Sequence, residues 1–176
     1  LTVNISTPGV GPFTFNVENF DDVVGTINND SIIGNANDNV FGGSAGNDTI
    51  NGDDGDDTVD YSGLGGAVTL GGSGDIAKGD VDAAGIGSLG NDAIANIQTI
   101  IGSATQTNTI DGELNAAGNG SFVIDLSQEL LTVNISTPGV GPFTFNVENF
   151  DDVVGTINND SIIGNANDNV FGGSAG

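Results

Sequence analysis

The first part of the chain alternates glycine-rich polar stretches with very short apolar ones. Four consecutive segments between residues 25 and 60 have this form: GTINNDSII, GNANDNVF, GSAGNDTIN and GDDGDDTVD. An Asp is followed two residues later by a large apolar residue in each segment, the pairs being Asp30 and Ile32, Asp38 and Val40, Asp48 and Ile50, and Asp57 and Val59. Because Gly and Asn adopt positive φ readily, each segment can turn sharply. The pattern predicts stacked turns linked by very short parallel strands, each with one apolar side chain pointing inward.

Residues 121–150 carry a different pattern, in which apolar and polar positions alternate over longer stretches. The alternating apolar positions are Phe122, Ile124 and Leu126, then Leu131, Val133 and Ile135, then Phe143, Phe145 and Val147. Period-two alternation is typical of strands with one buried face. The link from Thr137 to Pro142 predicts a turn-rich connector, and the two FTFNVENF segments predict hydrophobic core rather than a ligand pocket. No stretch predicts a helix longer than a turn or two.

An internal repeat organises the whole chain. Residues 131–176 repeat residues 1–46 without a single change, at an offset of 130 residues. Such repetition is typical of solenoids and arrays. The complete repeat unit is 25–154, preceded at 1–24 by the end of one unit and followed at 155–176 by the start of the next. Within it lie a turn-rich block at 25–60, irregular coils at 61–101, a degenerate repeat at 102–120 and long strands at 121–154. We expect a fragment of a longer tandem array, with an arbitrary chain boundary as the alternative.

The charge balance narrows the chemistry. The chain has 24 acidic side chains, one basic side chain (Lys78) and no Cys or His. With one cation it cannot neutralise phosphates or anionic lipids, so we expect neither nucleic-acid binding nor membrane insertion. Zinc, haem and iron–sulfur sites lack their usual ligands, and triads that use His or Cys are excluded. Oxygen ligands remain, and they suit Ca²⁺. Because the apolar fraction is 36% at a net charge of −23, we expect a chain that folds conditionally on bound cations.

The glycine-rich segments resemble the G-G-x-G-x-D-x-U-x nonapeptides of the RTX, or haemolysin-type, calcium-binding repeat family. GSAGNDTIN and GDDGDDTVD match closely over residues 43–60, while the two preceding segments lack the central Gly. The resemblance implies an all-β fold, a parallel β-solenoid or β-roll repeated end to end, with several Ca²⁺ ions held between adjacent turns. The ligands it implies are Asp48 and Asp57, then Asp30 and Asp38, and Asp160 and Asp168 in the next repeat. Asp53, Asp54 and Asp56 are further candidates, with solvated loop residues as an equal alternative.

Two later segments extend the pattern. GSLGNDAIA at 87–95 makes Asp92 a candidate ligand, although no matching turn adjoins it. GSATQTNTIDG from Gly102 carries Asn108 where the strict repeat carries Asp48, and a neutral amide weakens a calcium site. We therefore expect that coil to be held by packing alone. Ordinary turn chemistry, in which Asp caps its own backbone, is the alternative for every one of these residues.

The sequence favours a non-enzymatic structural protein, a calcium-stabilised segment of an extracellular or cell-surface filament. Its expected partners are neighbouring copies of the same repeat, and secretion by a type I route is implied by the resemblance alone. A surface adhesin or an ice- or glycan-binding module is the alternative, with Thr105, Thr107 and Thr109 as an alternating row on one strand and cell-surface polysaccharide as a candidate partner. A secreted polysaccharide-active enzyme is a third alternative, but no carboxylate pair stands apart from the calcium-binding segments.

Overall fold

The protein consists almost entirely of short β-strands. The computed structural model describes residues 2–7, 10–16, 20–72, 74–79, 89–114, 120–135 and 142–176. The strands in these ranges are β1 (Thr2–Thr7), β2 (Val10–Asn16), β3 (Asp22–Val24), β4 (Ser31–Ile33), β5 (Val40–Gly42), β6 (Thr49–Asn51), β7 (Thr58–Asp60), β8 (Val68–Gly71), β9 (Asp75–Lys78), β10 (Gly90–Ala95), β11 (Thr99–Ile101), β12 (Asn108–Asp111), β13 (Gly120–Asp125), β14 (Leu130–Ile135), β15 (Phe143–Glu148), β16 (Phe150–Val154), β17 (Ser161–Ile163) and β18 (Phe171–Gly172). The expected all-β class is therefore confirmed.

These strands form two sheets. Sheet A has ten strands in the order β18-β16-β12-β8-β9-β10-β6-β4-β1-β2, and sheet B has eight in the order β17-β13-β14-β15-β11-β7-β5-β3. Within the described ranges a single 3₁₀ turn, Leu126–Gln128, is the helical structure. No helix there has the length and apolar character needed to cross a membrane.

The turn-rich block delivers its strands alternately to the two sheets. Strands β3, β5 and β7 pair in parallel in sheet B, while β4 and β6 pair in parallel in sheet A. The register joins residues two segments apart, with Ile32 opposite Ile50 and Phe41 opposite Val59. The middle residues of β4 to β7 are buried and belong to one hydrophobic cluster, and that of β3, Val23, is partly buried against the cluster. The predicted short parallel strands, each with a single inward side chain, are confirmed.

One of the predicted inward residues is wrong. Val40 is 40% exposed, whereas the next residue, Phe41, is completely buried. Asp38 is the fifth residue of its segment, whereas Asp30, Asp48 and Asp57 are each the sixth. Strand β5 begins at the seventh residue, as in the other segments, so it starts two residues after Asp38 instead of one. Asn39, not Asp38, therefore stands nine residues after Asp30 and nine before Asp48.

The segment after the turn-rich block folds back into the same sheets. Strands β8, β9 and β10 pair antiparallel in sheet A, and β10 then pairs in parallel with β6. Strand β11 likewise pairs in parallel with β7 in sheet B. The coil at 90–101 thus stacks directly on the coil at 49–60, although a long insertion separates them in sequence. Part of that insertion, 80–88, lies outside the described residues.

The long alternating strands are confirmed in the last third of the chain. Strands β13, β14 and β15 form an antiparallel meander, and β15 joins the parallel strand β11 at its other edge. The alternation puts Phe122, Ile124, Leu131, Val133 and Val147 in the core. The expected connector from Thr137 to Pro142 lies outside the described residues, apart from Pro142 itself.

Candidate cation-binding turns

Two rows of turns precede the strands of the turn-rich block. We call the turns at 25–30 and 43–48, which lead into sheet A, together with the start of β10 at 89–92, the first edge. The turns that lead into sheet B, residues 34–39, 52–57 and 96–98, are the second edge. Eight of the ten candidate ligands lie on these two edges: Asp30, Asp48 and Asp92 on the first, and Asp38, Asp53, Asp54, Asp56 and Asp57 on the second.

A ladder of side-chain hydrogen bonds connects the turns of each edge. On the first edge the amide of Asp30 donates to Oδ1 of Asp48 at 2.9 Å, and the amide of Asp48 donates to Oδ1 of Asp92 at 2.9 Å. On the second edge the amide of Asn39 donates to Oδ1 of Asp57 at 2.8 Å. One oxygen of each of these three carboxylates is therefore used to stack one turn on the next. These bonds join residues 18 or 44 positions apart, so they differ from the alternative in which each Asp caps the backbone of its own turn.

Asp92 does have a matching neighbour. Asp92 lies in β10 against the turn at 43–48, and the amide of Asn91 also donates to Oδ1 of Asn47 at 2.8 Å. The expectation that no adjacent turn accompanies Asp92 is wrong, because the parallel pairing of β10 with β6 brings Asp92 beside that turn. Asp48 and Asp92 are neighbours in the structure although they lie 44 residues apart in the sequence.

Asp38 occupies a different position from Asp48 and Asp57. It is exposed, and its Oδ1 accepts a hydrogen bond from the amide of Asp56 at 2.9 Å. The residue equivalent to Asp57 in that turn is the buried Asn39. The sequence grouping of Asp38 with Asp48 and Asp57 therefore does not match the structural register.

On the first edge the buried carboxylates surround the chain's one cationic side chain. The ammonium of Lys78 donates to Oδ1 of Asp92 at 2.5 Å, to Oδ2 of Asp48 at 3.3 Å and to the carbonyl oxygen of Ser44 at 2.6 Å. All three charged side chains are almost completely buried. Lysines are rarely buried unless they are paired, and here all three ammonium protons have acceptors.

Tyr61 completes this group. Its hydroxyl donates to Oδ2 of Asp92 at 2.7 Å. Its ring packs so closely against Gly43 that a Cβ at that position would clash with it. Burial, and then the nearby carboxylate of Asp92, raise the pKa of the Tyr61 hydroxyl well above its usual value, so the group stays a neutral donor.

The second edge has no such cation. Oδ2 of Asp57 is buried and has no hydrogen-bond partner, and Nδ2 of Asn39 on the same edge is also buried and unpartnered. In the turn at 25–30 the equivalent oxygen accepts the amide of Thr26 at 2.5 Å. The corresponding residue here, Asp53, has a φ of 74° and donates its amide to the side chain of Asn51 instead. The turn geometry therefore leaves Oδ2 of Asp57 without its usual donor.

The electrostatic setting of Asp57 is unfavourable to its negative charge. Burial is the largest cause that raises its pKa, and the carboxylates of Asp38, Asp56 and Asp53 raise it further, against the opposing hydrogen bond from the amide of Asn39. Burial also raises the pKa of Asp48, where Asp92 adds to the effect and Lys78 opposes it. A positive charge beside Asp57 would relieve this penalty.

Backbone oxygens lie close to the unpartnered carboxylate. A Cβ at Gly52 would clash with both Oδ2 of Asp57 and the carbonyl oxygen of Asn96, so both oxygens lie against the bare α-carbon. A Cβ at Gly34 would meet the carbonyl oxygen of Gly52 and Oδ1 of Asn39. Glycine at these positions lets carboxylate, amide and carbonyl oxygens crowd together, the donor chemistry that Ca²⁺ takes.

Among the remaining candidates Asp160 is partly buried and the others are exposed. Asp160 accepts from the amide of Phe122 at 2.7 Å and from the amide of Thr156 at 2.7 Å, so it also belongs to a turn ladder. Asp168 and the loop residues Asp53, Asp54 and Asp56 are exposed. Their role as ligands stays a prediction.

The coil around Asn108 is not held by packing alone, as the sequence suggested. Oδ1 of Asn108 accepts from the amides of Val68 and Ser103, and Nδ2 donates to the carbonyl oxygens of Ser103, Gln106 and Asn149. A carboxylate cannot donate, so the amide at this buried position is required by the three carbonyls it faces.

The threonine row expected for a recognition surface is broken. Thr109 lies in β12, but Thr105 and Thr107 precede that strand and are exposed. The three side chains therefore do not form an alternating row on one strand.

Sequence reasoning missed the buried partners of the Asp side chains: Lys78, Tyr61, Asn39 and Gln98, whose Oε1 accepts the amide of Asp57 at 2.7 Å. The available signal was Lys78 itself, since one lysine among 24 acids is a strong candidate for a specific internal partner.

In the part of the chain that the structure describes, no three acidic side chains converge in a group that could hold a metal by themselves. Any cation there would need backbone carbonyls as ligands. A comparison with the models of known protein families finds none that matches this chain, and a comparison with characterised proteins also finds no match.

Proposed function

We propose that this chain is a structural segment of a calcium-stabilised extracellular filament whose repeats form a parallel β-solenoid of the β-roll type. The support for the fold is the parallel register that repeats every two segments, with consecutive strands alternating between two sheets. Each coil of such a fold needs a sharp turn at each edge, and the glycine-rich segments supply these turns.

The observation that carries the calcium part of the proposal is the buried, unpartnered Oδ2 of Asp57. A buried polar atom without a partner is costly, and an isolated buried charge is costlier still. Three further carboxylates raise the pKa of Asp57, so the cost increases as the loop ionises. A cation at the second edge would remove both penalties at once.

The residues that would hold this cation are Asp57, through Oδ2, and Asn96, through its backbone carbonyl, the two oxygens that lie against the α-carbon of Gly52. The exposed Asp53 and Asp56 supply a negative field that attracts it. Ca²⁺ would supply a double positive charge to a set of hard oxygen ligands. Extracellular modules bind Ca²⁺ with dissociation constants of roughly 10⁻⁴–10⁻³ M. A site of that affinity would be occupied at extracellular calcium concentrations, where it would stabilise the folded state. Because a ligand that binds the folded state stabilises it, calcium would raise the stability of the chain.

Calcium titration of the melting temperature tests this site. We expect millimolar Ca²⁺ to raise the melting temperature of the natural chain, with a much smaller effect of Mg²⁺, which demands a stricter geometry. Asp57→Asn should remove most of the calcium response while leaving a folded protein, since the amide can still accept the Asn39 hydrogen bond. Glu129→Gln, which removes one exposed charge elsewhere, is the matched control and should keep the response. An equal calcium response in the natural chain and in Asp57→Asn would refute the site.

The filament part of the proposal is supported by the two identical 46-residue segments. Phe41 of the first copy is completely buried under the following coil, whereas the same residue of the second copy, Phe171, is 47% exposed. A following unit that supplied the equivalent coil would bury it. Identical units can therefore stack with one repeated interface.

Electron microscopy of a chain with two or three units tests the filament. Long uniform filaments in calcium that disappear in chelator would support a calcium-switched scaffold. Short separate rods in both conditions would contradict self-assembly. They would instead favour a binding function on the lateral faces of the solenoid, as in an adhesin.

A further inference from the structure

The first edge contains a complete cation-binding arrangement whose cation is a side chain. The ammonium of Lys78 lies among a carboxylate oxygen of Asp48, a carboxylate oxygen of Asp92 and the carbonyl oxygen of Ser44. We propose that Lys78 is the resident cation of this edge, so that the first edge closes without metal and calcium acts on the second edge alone.

Charge and hydrogen-bond counting support this assignment. The two carboxylates bring two negative charges into the core, and one ammonium reduces them to one. The three ammonium protons match three oxygen acceptors, so no donor is left over. A mixture of carboxylate and carbonyl oxygens is also the donor chemistry that a hard metal ion takes. The first edge therefore obtains its positive charge from the side chain of Lys78, whereas the second edge would need to bind a cation from solution.

The surroundings hold the charged group in place. Tyr61 donates its hydroxyl to the second oxygen of Asp92 at 2.7 Å, and the hydroxyl of Ser44 donates to Oδ2 of Asp48 at 3.3 Å. The other oxygens of Asp48 and Asp92 accept backbone amides of the neighbouring turns. Every carboxylate oxygen in the group thus has a partner, in contrast to Oδ2 of Asp57.

The position of Lys78 in the sequence gives the ion group a further role. Lys78 lies at the end of β9, in the β8–β9 hairpin that sheet A places between β12 and β10. Its ammonium joins that hairpin to the turn at 43–48 and to the start of β10. The ion group therefore fixes how the hairpin docks beside the turn-rich block, independently of metal.

The reactivity of the lysine amine tests the inference on the natural chain. Lys78 is the single lysine of the protein, so acylation by acetic anhydride, followed by mass spectrometry, reports on one side chain, with the α-amino group as internal reference. In EGTA we expect Lys78 to be acylated more slowly than the α-amino group by about a hundredfold or more, because breaking a buried ion pair is strongly unfavourable. Added calcium should change that protection little. Acylation of Lys78 in EGTA at the rate of the α-amino group would overturn the proposal.

Neutral variants provide the second test, also in EGTA. Lys78→Met should lower the folded fraction, because it leaves two buried carboxylates without their cation. The triple variant Lys78→Met, Asp48→Asn, Asp92→Asn should recover much of that loss, since it removes the uncompensated charges together with the lysine. Calcium should stabilise Lys78→Met more than the natural chain, because the vacated oxygens then face a free cation. Unchanged stability of Lys78→Met in EGTA would contradict the inference, as would a triple variant no more stable than Lys78→Met.

The inference depends on the proposed function only in assigning calcium to the second edge, and its tests separate the two. Measurements in EGTA contain no calcium, so they report on Lys78 whether or not calcium binds at Asp57. Conversely, loss of the calcium response in Asp57→Asn tests the second edge and leaves the protection of Lys78 unaffected.

Discussion

The same 46 residues occur twice in this chain, in two different surroundings. Phe41 is completely buried, and its copy Phe171 is 47% exposed. At the start of the repeated segment the relation reverses, because Phe20 is 59% exposed and its copy Phe150 only 2% exposed. Identical sequence therefore produces opposite burial at the two positions.

The difference follows from which strands lie alongside. Strand β5, which contains Phe41, lies between β3 and β7, whereas its copy β18 has, among the described strands, only β16 as a neighbour in sheet A. Phe150 begins β16, which pairs with β12 as well as β18, and β3 of the first copy pairs with β5 alone. Burial at these positions is determined by the neighbouring coil and not by the local sequence.

The strand pairing also differs between the copies. In the first copy Val3 lies opposite Phe15, and in the second copy Val133 lies opposite Phe143, a shift of two residues in the register of the same hairpin. An even shift keeps each side chain on its own face of the sheet, so the hydrophobic pattern allows both registers. Strand β4 takes β1 as an antiparallel neighbour, while its copy β17 takes β13 as a parallel neighbour.

The largest expected effect comes from truncating the same aromatic residue in each copy. Phe41→Ala should lower the free energy of unfolding by about 3–5 kcal/mol, because it removes a fully buried side chain. Phe171→Ala should cost about 1 kcal/mol or less, because half of that side chain already contacts water. Chemical denaturation of both variants measures the difference, and equal losses would mean that coverage does not explain the two environments.

Covering the second copy should remove most of the difference. Appending residues 47–60 after Gly176 continues the repeat and supplies the coil that covers the first copy. We expect amide exchange of residues 161–172, followed residue by residue by NMR, to slow by about tenfold or more as local opening becomes rarer. An appended segment in which the copies of Ile50 and Val59 are replaced by Asn is the control and should protect much less. Equal protection by both segments would show that packing is not the cause.

A smaller effect on stability is expected when the pH is varied in the presence of chelator. The coil that covers the first copy carries the buried carboxyl groups of Asp48 and Asp57, and their protonation changes the free energy of unfolding. Burial raises the pKa of both above the ordinary value of 3.8, so the folded state binds protons more tightly than the unfolded state. Between that ordinary value and the raised folded values, stability should increase as the pH falls. Asp57→Asn should flatten this dependence, and saturating calcium should do the same in the natural chain. A pH profile of unfolding identical in the natural chain and in Asp57→Asn would contradict the assignment.

The smallest difference is expected where the two copies are locally alike. The carboxylate of Asp30 accepts the amide and hydroxyl of Thr26, and that of Asp160 accepts the amide and hydroxyl of Thr156. Asp30→Ala should cost about 1 kcal/mol, the usual value for a lost capping hydrogen bond. Asp160→Ala should cost about 1 kcal/mol more, because it also removes the acceptor of the Phe122 amide. Thermal unfolding should show this small difference between the two variants, and a much larger one would show that the turns do not act locally.

The candidate site shows how far sequence reasoning reached. Asp48 and Asp57 were found from their spacing after glycine, and both are buried in turns as expected. The partner of Asp48, Asp92, lies 44 residues away, so the sequence does not show that the two are neighbours. A linear pattern likewise gives no sign that Lys78 enters the space between Asp48 and Asp92. Asp38 differs from the other Asp residues because it is the fifth residue of its segment and not the sixth, so counting from the Asp gives the wrong register.

The local structure of this protein could be predicted from its sequence: the all-β class, the glycine turns and the short strands. These depend on φ preferences and hydrogen bonds between residues a few positions apart, which are the same in every copy. The tertiary structure alone decided which coil lies beside which, and hence which Phe is buried, which carboxylate is paired with Lys78 and which is left unpartnered. Those outcomes depend on contacts between distant residues, and identical sequences therefore reach them differently.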